Sequence, residues 1–522
     1  MYCRRFLFFL VVSLFLTTNI SFLFAQKAKK IIDIGSRREL FVDGFMIESL
    51  SGKAQRVLHH PDPKGVAIVH DQPWEGNTCG YHSLFKDGGI YRMYYRGSHI
   101  AATKESLKEA HPFYICYAES ADGISWTKPE LGIYEVNGPK KNNIVIMSGN
   151  IAGVELKMGD NASMFKDLNP DAPADARYKA FVCSSNPRGL FAFKSADAIH
   201  WLPMADKPVI TEGAFDSQNV GFWDSVKKEY RAYWRYFKNG ESENTLTAGG
   251  VRAVRTAVSK DFIHWTDVKD VTYDDTMRIE LYTNQVNTYY RAPHILLGIP
   301  TRYIELGWSP SMHALPDLPH RELRSSHHLR YGTALTDAML MSSRDGISFD
   351  RWEESFFRPG IERAGTWNYG HQYICWGIAE TRSDLPGAPN EMSFYSTENS
   401  WTNEARTSDL RRYTMRLDGF VSVNAPMSGG EIITRAFRFK GNKLSINFST
   451  SVAGSVEVEI QDEKGAVIPG FALKDIQPVF GDTIERVIEW KEGSDLGALS
   501  GKPVRLRFVL HDADLYSFRF FD

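Results

Sequence analysis

The chain has 522 residues, 61 Lys and Arg against 63 Asp and Glu for a net charge of −2, and 13% aromatic residues. No basic run or stripe accompanies this near balance, which excludes a nucleic-acid partner and points to a neutral or weakly charged one. The length exceeds one ordinary domain, so a boundary is expected.

Residues 1–25 have the form of a secretory signal, with Arg4 and Arg5 ahead of an apolar run and a small residue, Ala25, at the junction. The expectation is an exported protein, periplasmic or extracellular, with no membrane span once the signal is removed. Its net charge is then about −4, since both early arginines leave. Cys79, Cys116, Cys183 and Cys375 stay in the mature chain. They are far apart with no Cys-x-x-Cys spacing, so buried thiols are expected rather than a zinc site. Residues 26–60 are strand-like, and in a ring of sheets this leader would supply the closing strand.

One phrase then recurs. Ser120 to Trp126, Ser195 to Trp201, Ser259 to Trp265 and Ser343 to Phe349 share the form Ser-x-Asp-x-Ile-x-aromatic, and Ser396-Thr-Glu-Asn-Ser-Trp401 is a shortened fifth copy with Glu398 in place of Asp. Each follows an apolar run of strand character, such as Phe113 to Ala118 or Val251 to Val258, so the phrase predicts a turn whose Ser and Asp side chains bond nearby amides. Four strands fit between copies. The expected fold is all-β: a five-bladed β-propeller over residues 26–425, followed by a β-sandwich over 428–522, where strands alternate without the phrase.

In such a ring the starts of the innermost strands meet at one end of a channel. Polar residues stand there where a core strand would not need them: Trp74-Glu-Gly-Asn77, Gly159-Asp-Asn161, Phe215-Asp-Ser-Gln-Asn219, Glu280-Leu-Tyr-Thr-Asn-Gln285 and Trp367-Asn-Tyr-Gly-His371. Glu75, Asp160 and Asp216 come one from each of three consecutive blades and would converge on one pocket, with Glu280 as a fourth candidate. Paired carboxylates of this kind suit glycosidic cleavage, one protonating the leaving oxygen and another attacking or activating water. Trp74, Asn77, His82, Asn161, Asn219, Asn284, Trp367 and His371 would hold the substrate, with Arg291 and His294 from the fourth blade contacting hydroxyls or a carboxylate. The adjacent histidines His59, His60, His327 and His328 have no carboxylate at ligand spacing, so no cofactor and no catalytic metal is expected; a structural Ca²⁺ ion in the channel stays open.

The stretch from Ala257 to Thr266, read with the two-domain plan, resembles the blade phrase of the five-bladed propeller glycoside hydrolases, the clan of invertases, levanases, arabinanases and β-xylosidases. The resemblance implies three inner-strand acids acting as nucleophile or base, as orienting group and as general acid, onto which Glu75, Asp160 and Asp216 fall by position. They depart in type, since the clan's first acid is usually Asp and its general acid usually Glu, and neither an Asn-Asp-Pro-Asn nor an Arg-Asp-Pro motif is present. Glu280 is therefore a rival for the general acid. Three alternatives accompany a secreted glycoside hydrolase: a non-catalytic carbohydrate-binding propeller, a mannoside-phosphorylase type using Arg291, His294 and Arg302 for phosphate, and a sialidase-like enzyme, for which no arginine triad can be placed.

Overall fold

The computed structural model describes residues 31–136, 138, 140–240, 250–402 and 407–522, and the signal read over 1–25 lies outside the described residues. The chain is all-β, with 50% strand and 6% helix. The four complete copies of the phrase are turns of one construction. In each, the Ser hydroxyl accepts the amide three residues on, at Gly123, Ala198, Phe262 and Gly346, and the Asp carboxylate accepts two further amides, all at 2.8–2.9 Å. The residue after the Asp has φ between 68° and 81° and is buried, even where it is Ala198 or Phe262 rather than glycine. Asp197→Ala removes the acceptor of two backbone amides, Ile199 N and His200 N, from an exposed turn, and we expect a loss of about 1–2 kcal/mol, measurable by denaturant unfolding.

Among the described residues, units of four or five strands follow one another along the chain. The first is Gly80–Asp87, Ile90–Gly97, Tyr114–Ser120 and Ile144–Met147. The second is Val154–Lys166, Tyr178–Asn186 and Arg188–Ser195 with the edge strands Gly149–Ile151 and Leu202–Pro203, and the third is Val220–Asp224, Glu229–Lys238, Val251–Ser259 and Trp265–Asp270. In the fourth, Asn287–Tyr289, Ala292–Gly298, Met341–Ser343 and Ser348–Arg351 continue towards one end as Glu280–Leu281, Thr301–Glu305 and Ala334–Ala338. The last joins Ala379–Thr381, Glu391–Glu398 and Asp409–Arg416 to Asp62–Val69 from near the start of the chain. Middle strands such as Tyr178–Asn186 and Arg188–Ser195 are buried almost without interruption, because neighbouring sheets cover both faces.

The first strands are bonded to one another in a closed cycle. Ser83 Oγ accepts from Met164 N (3.1 Å), Ser163 Oγ donates to Asn219 O (2.6 Å), and Trp376 N donates to His82 O (2.8 Å). Gln218 Nε2 donates to the carbonyls of Tyr81 and His82, and Gln285 Nε2 to Gln218 Oε1 (2.7 Å) and Ile374 O (2.6 Å), so two side-chain amides plug the centre.

Three expectations change. Residues 32–58 do not close the ring: Ile32–Gly35, Glu39–Leu40, Ile47–Gly52 and Gln55–Leu58 join a ten-stranded sheet with Val421–Ala425 and the C-terminal strands, and Asp62–Val69 closes the last ring sheet by pairing with Asp409–Arg416. The division at 425/428 therefore becomes a unit built from both ends of the chain, around a core including Phe41, Ile432, Phe448, Leu506 and Phe518. The phrase at Ser396 follows the second strand of its sheet, not the third; Glu398 is buried against Arg363 and Arg411 instead of capping a turn. After the third strand the chain reaches Asp418 and leaves for the ten-stranded sheet, so a turn into a fourth strand is not needed there.

The sequence reading also missed a helical insertion, Pro310–Ala314, Leu318–His327 and Leu329–Thr333, placed between Thr301–Glu305 and Ala334–Ala338. Ser309 caps its first helix by accepting Met312 N (3.1 Å), and Pro310 stands where a helix needs no amide donor.

Candidate functional site

The segments leading into the first strands lie at one end of the ring, and the helical insertion walls that end. Arg321 donates to Trp367 O, and His327 Nε2 bonds Thr103 O (2.6 Å), so the insertion reaches from the fourth sheet to the fifth and first. Inside the wall is a basin of tyrosines. Tyr282 stacks on Tyr373 with ring centroids 5.3 Å apart, its hydroxyl meets Tyr369 OH (3.2 Å) and Tyr81 OH (3.5 Å), and Tyr303 lies 5.7 Å from Tyr369. Burial pushes the Tyr282 hydroxyl up to about 12.

Two arginines on adjacent strands, Arg235 and Arg252, rest on these rings. Arg235 is 4.8 Å over Tyr282 and pairs with Asp216; Arg252 is 4.1 Å over Tyr303 and pairs with Glu280. Both guanidinium groups are buried, whereas the Asp216 side chain is 64% exposed and that of Glu280 27% exposed. Two predicted acids are thus each held by an arginine that rests on Tyr282, Asp216 exposed and Glu280 partly exposed.

Around them, buried polar atoms lack a hydrogen-bond partner among the described residues: both amide atoms of Asn161 and Asn368, Ser217 Oγ, Asn219 Oδ1, Gln285 Oε1 and His371 Nε2. They come from the leading segments of the second to fifth sheets. Native proteins rarely leave such groups unmatched, so this concentration marks where water or a hydroxyl-rich ligand belongs.

The other predicted residues divide. Asp160 lies in Val154–Lys166, at a break in its pairing with Tyr178–Asn186; its side chain lies outside what is described. Glu75 is not in the basin. A turn in which Glu75 N bonds Gln72 O (2.8 Å) folds its side chain into the interior of the first sheet, where it pairs with Lys128 (2.6 Å) and accepts from Tyr95 OH (2.5 Å). Glu75→Gln should leave the catalytic step intact while costing about 2–3 kcal/mol of stability, read as a lowered unfolding midpoint with unchanged kcat.

Several nominated binding residues are structural. Trp74 donates to Asn143 Oδ1 (2.6 Å), Asn77 braces the amide and carbonyl of Ile100, and His82 faces His70 at 3.1 Å between Nε2 atoms. Burial holds His70 down at about 4, so that pair is neutral. Asn284 is buried and supports Val286 N (3.2 Å), and Trp367 donates to Gly360 O (2.8 Å). His371 takes the Trp367 amide on Nδ1 (3.1 Å) and is kept at about 4 by burial. Arg291 and His294 lie away from the basin, against the ten-stranded sheet and its leader: Arg291 pairs with Asp418 (2.8 Å) and His294 with Glu39 (3.1 Å), while Arg302 pairs with Asp337 (2.6 Å). A phosphate would have to displace a carboxylate from each.

A cavity of about 510 Å³ occupies the opposite end, beyond Gln285, lined by Phe165, Phe222, Trp223, Tyr289 and Trp376. Its one carboxylate, Glu380, is taken by Tyr290 OH (2.9 Å) and Asn390 Nδ2 (3.0 Å), so it offers no acid pair for bond cleavage. The basin, with two arginine-paired carboxylates, is the better catalytic candidate.

The tyrosines, Arg235, Arg252 and the helical wall were not singled out from sequence. Tyr282 stands two residues after Glu280, and Arg235 lies inside the aromatic strand Glu229–Lys238, between Trp234 and Tyr236; a charged residue within such a run was the available signal.

No family model matches the chain, and no curated protein matches it. Solved structures similar to it include glycoside hydrolases of propeller fold, and also an N-acetylgalactosamine deacetylase. One is a fructofuranosidase from Schwanniomyces occidentalis, at TM-score 0.37 and 12% identity over 88% of this chain and 98% of that one. Another is the catalytic domain of a Coprinopsis cinerea GH62 α-L-arabinofuranosidase, at TM-score 0.39 and 9% identity over 68% and 97%. A third, described with the GH130 family of mannoside phosphorylases and its glycoside hydrolases, has TM-score 0.40 and 12% identity over 68% and 94%. At these scores none of them bears on the reaction.

Proposed function

We propose that the chain is a five-bladed β-propeller carrying a β-sandwich, and that it is an exported glycoside hydrolase acting at the basin end of the channel. The observation that carries this is that Asp216 and Glu280 are each paired with a buried arginine resting on Tyr282, with unmatched buried polar atoms in the leading segments of four sheets. Flat rings suit the C–H faces of a sugar, and unmatched donors and acceptors suit its hydroxyls.

A carboxylate held by a guanidinium serves as nucleophile, base or electrostatic support, whereas a proton donor has to be a carboxylic acid. Asp216, the more exposed of the two, is assigned the attack on the anomeric carbon or the activation of water. Glu280 is assigned the support of positive charge developing on the ring, and Asp160, on the neighbouring blade, the protonation of the leaving oxygen. The resemblance seen in the sequence implied Glu75, Asp160 and Asp216; Glu280, its rival acid, takes the third place here because Glu75 is buried against Lys128. The test is a panel of chromogenic glycosides and plant and algal polysaccharides scored for released reducing sugar. Binding without release over long incubation would replace the hydrolase by a sugar-binding propeller, and a requirement for added phosphate would replace it by a phosphorylase.

A further inference from the structure

One guanidinium of the basin has no carboxylate paired to it, and the remaining acid beside these rings, Glu305, accepts from Tyr303 OH (3.2 Å). Asp216 and Glu280 are matched by Arg235 and Arg252, but a third guanidinium, Arg330, stands with them. It belongs to the short helix Leu329–Thr333, lies 4.9 Å over Tyr331 and 6.0 Å from Tyr369, and among the described residues forms no ion pair. The ionisable groups acting on it most strongly are four tyrosines, Tyr369, Tyr303, Tyr331 and Tyr282, three of which line the basin.

The wall behind it carries more positive charge. Arg321 is buried and donates only to the carbonyls of Pro316, Gly332 and Trp367 and to a methionine sulfur. Arg324 is buried 5.0 Å over Trp401, and its two terminal nitrogens have no partner among the described residues. Burial brings Arg321 down to about 10 and Arg324 to about 9, values at which both still hold their protons at neutral pH.

A neutral sugar would leave Arg330 without a counter-charge in a half-buried, ring-lined setting, where an ion pair gains more than in bulk water. A carboxylate or sulfate would be met by the planar fork of a guanidinium already positioned by two rings. We propose that the substrate is an anionic carbohydrate, a sugar bearing a carboxylate or sulfate, and that Arg330 receives the acidic group. This substrate class rests on the placement of the glycosidase site in the basin.

Binding tests it without depending on turnover. Calorimetry on the wild-type protein would compare galacturonate, glucuronate and galactose 6-sulfate with galactose and glucose, and with inorganic phosphate alone. We expect at least one acidic sugar to bind about 10–100-fold more tightly than its neutral counterpart; which acid wins separates carboxylate from sulfate. Arg330→Gln should erase that preference, Arg330→Lys should keep part of it, and both should melt with the wild type. Equal binding of acidic and neutral sugars, a preference that survives in Arg330→Gln, or tight binding of inorganic phosphate alone would each overturn the proposal. A preference without any hydrolysis would uphold the anionic subsite while removing the hydrolase assignment, so the two fail separately.

Discussion

We expect Asp216→Asn to abolish turnover, lowering kcat by about 10⁴-fold, while the protein stays folded. The expected loss is large because the proposed role of Asp216 is to act on the reacting centre, and an amide nitrogen cannot replace a carboxylate as nucleophile or base. Stability changes little, because Asp216 is 64% exposed and its pair with Arg235 is screened by solvent; Arg235 keeps its place on Tyr282. Asp160→Asn should fail differently. A glycoside whose leaving group is already a good one, such as a dinitrophenyl glycoside, does not need a proton donor, so this variant should keep cleaving it while losing an unactivated oligosaccharide. Asp216→Asn should lose both. If Asp216→Asn kept more than a tenth of wild-type activity on the best glycoside of the panel, the basin would not be the catalytic site; if Asp160→Asn lost both substrates equally, it would not be the acid.

What was legible in the sequence is what local chemistry repeats. The Ser-x-Asp turns fold alike because their bonds run within a few residues, so the four complete copies announced the order of the sheets. The shortened copy at Ser396 misled because it shares the spelling but not the bonding: Glu398 is drawn to Arg363 and Arg411 from other segments. The same limit applies to the site. Asp216 and Glu280 were readable as polar residues ahead of inner strands, but whether such an acid meets solvent or a buried lysine depends on long-range packing. Glu75 was indistinguishable from them until the fold brought Lys128 to it across 53 residues. Arg291 and His294 looked like ligand-holding residues because an Arg and a His close together usually invite that reading. Their partners, Asp418 and Glu39, are supplied by the two ends of the chain, which no local pattern announces.

Those partners make the second large effect. Asp418 is fully buried where the ring, the leader and the ten-stranded sheet meet, accepting from Tyr289 OH (2.7 Å), Arg291 Nε (2.8 Å) and Ser517 Oγ (2.9 Å), with Arg38 at 3.3 Å. Glu39 beside it takes Arg37 (2.8 Å), His294 (3.1 Å) and Arg344 (2.8 Å). Burial alone would raise both carboxyl groups. For Asp418 the charges of Arg38 and Arg291 outweigh it and hold the group below the usual range; for Glu39 the His294 bond and Arg344 bring it to about 2. Asp418→Asn leaves Arg38 and Arg291 facing a neutral amide, and we expect a loss of about 3–5 kcal/mol, read as a shift in the denaturant midpoint. The pH dependence has a definite sign. In the unfolded chain these acids take up protons near their ordinary values of 3.8 and 4.5, and in the folded protein only at lower pH. Below about pH 5 the unfolded state therefore binds more protons, and the stability these groups contribute is full above that value and drains away as pH falls towards 2. Wild-type protein should lose stability steeply between pH 5 and pH 3, and Asp418→Asn, already lacking one of the two groups, should lose less over the same interval. Parallel acid profiles for the two proteins, or a variant as stable as wild type at pH 7, would show that this junction is not held by its buried charges.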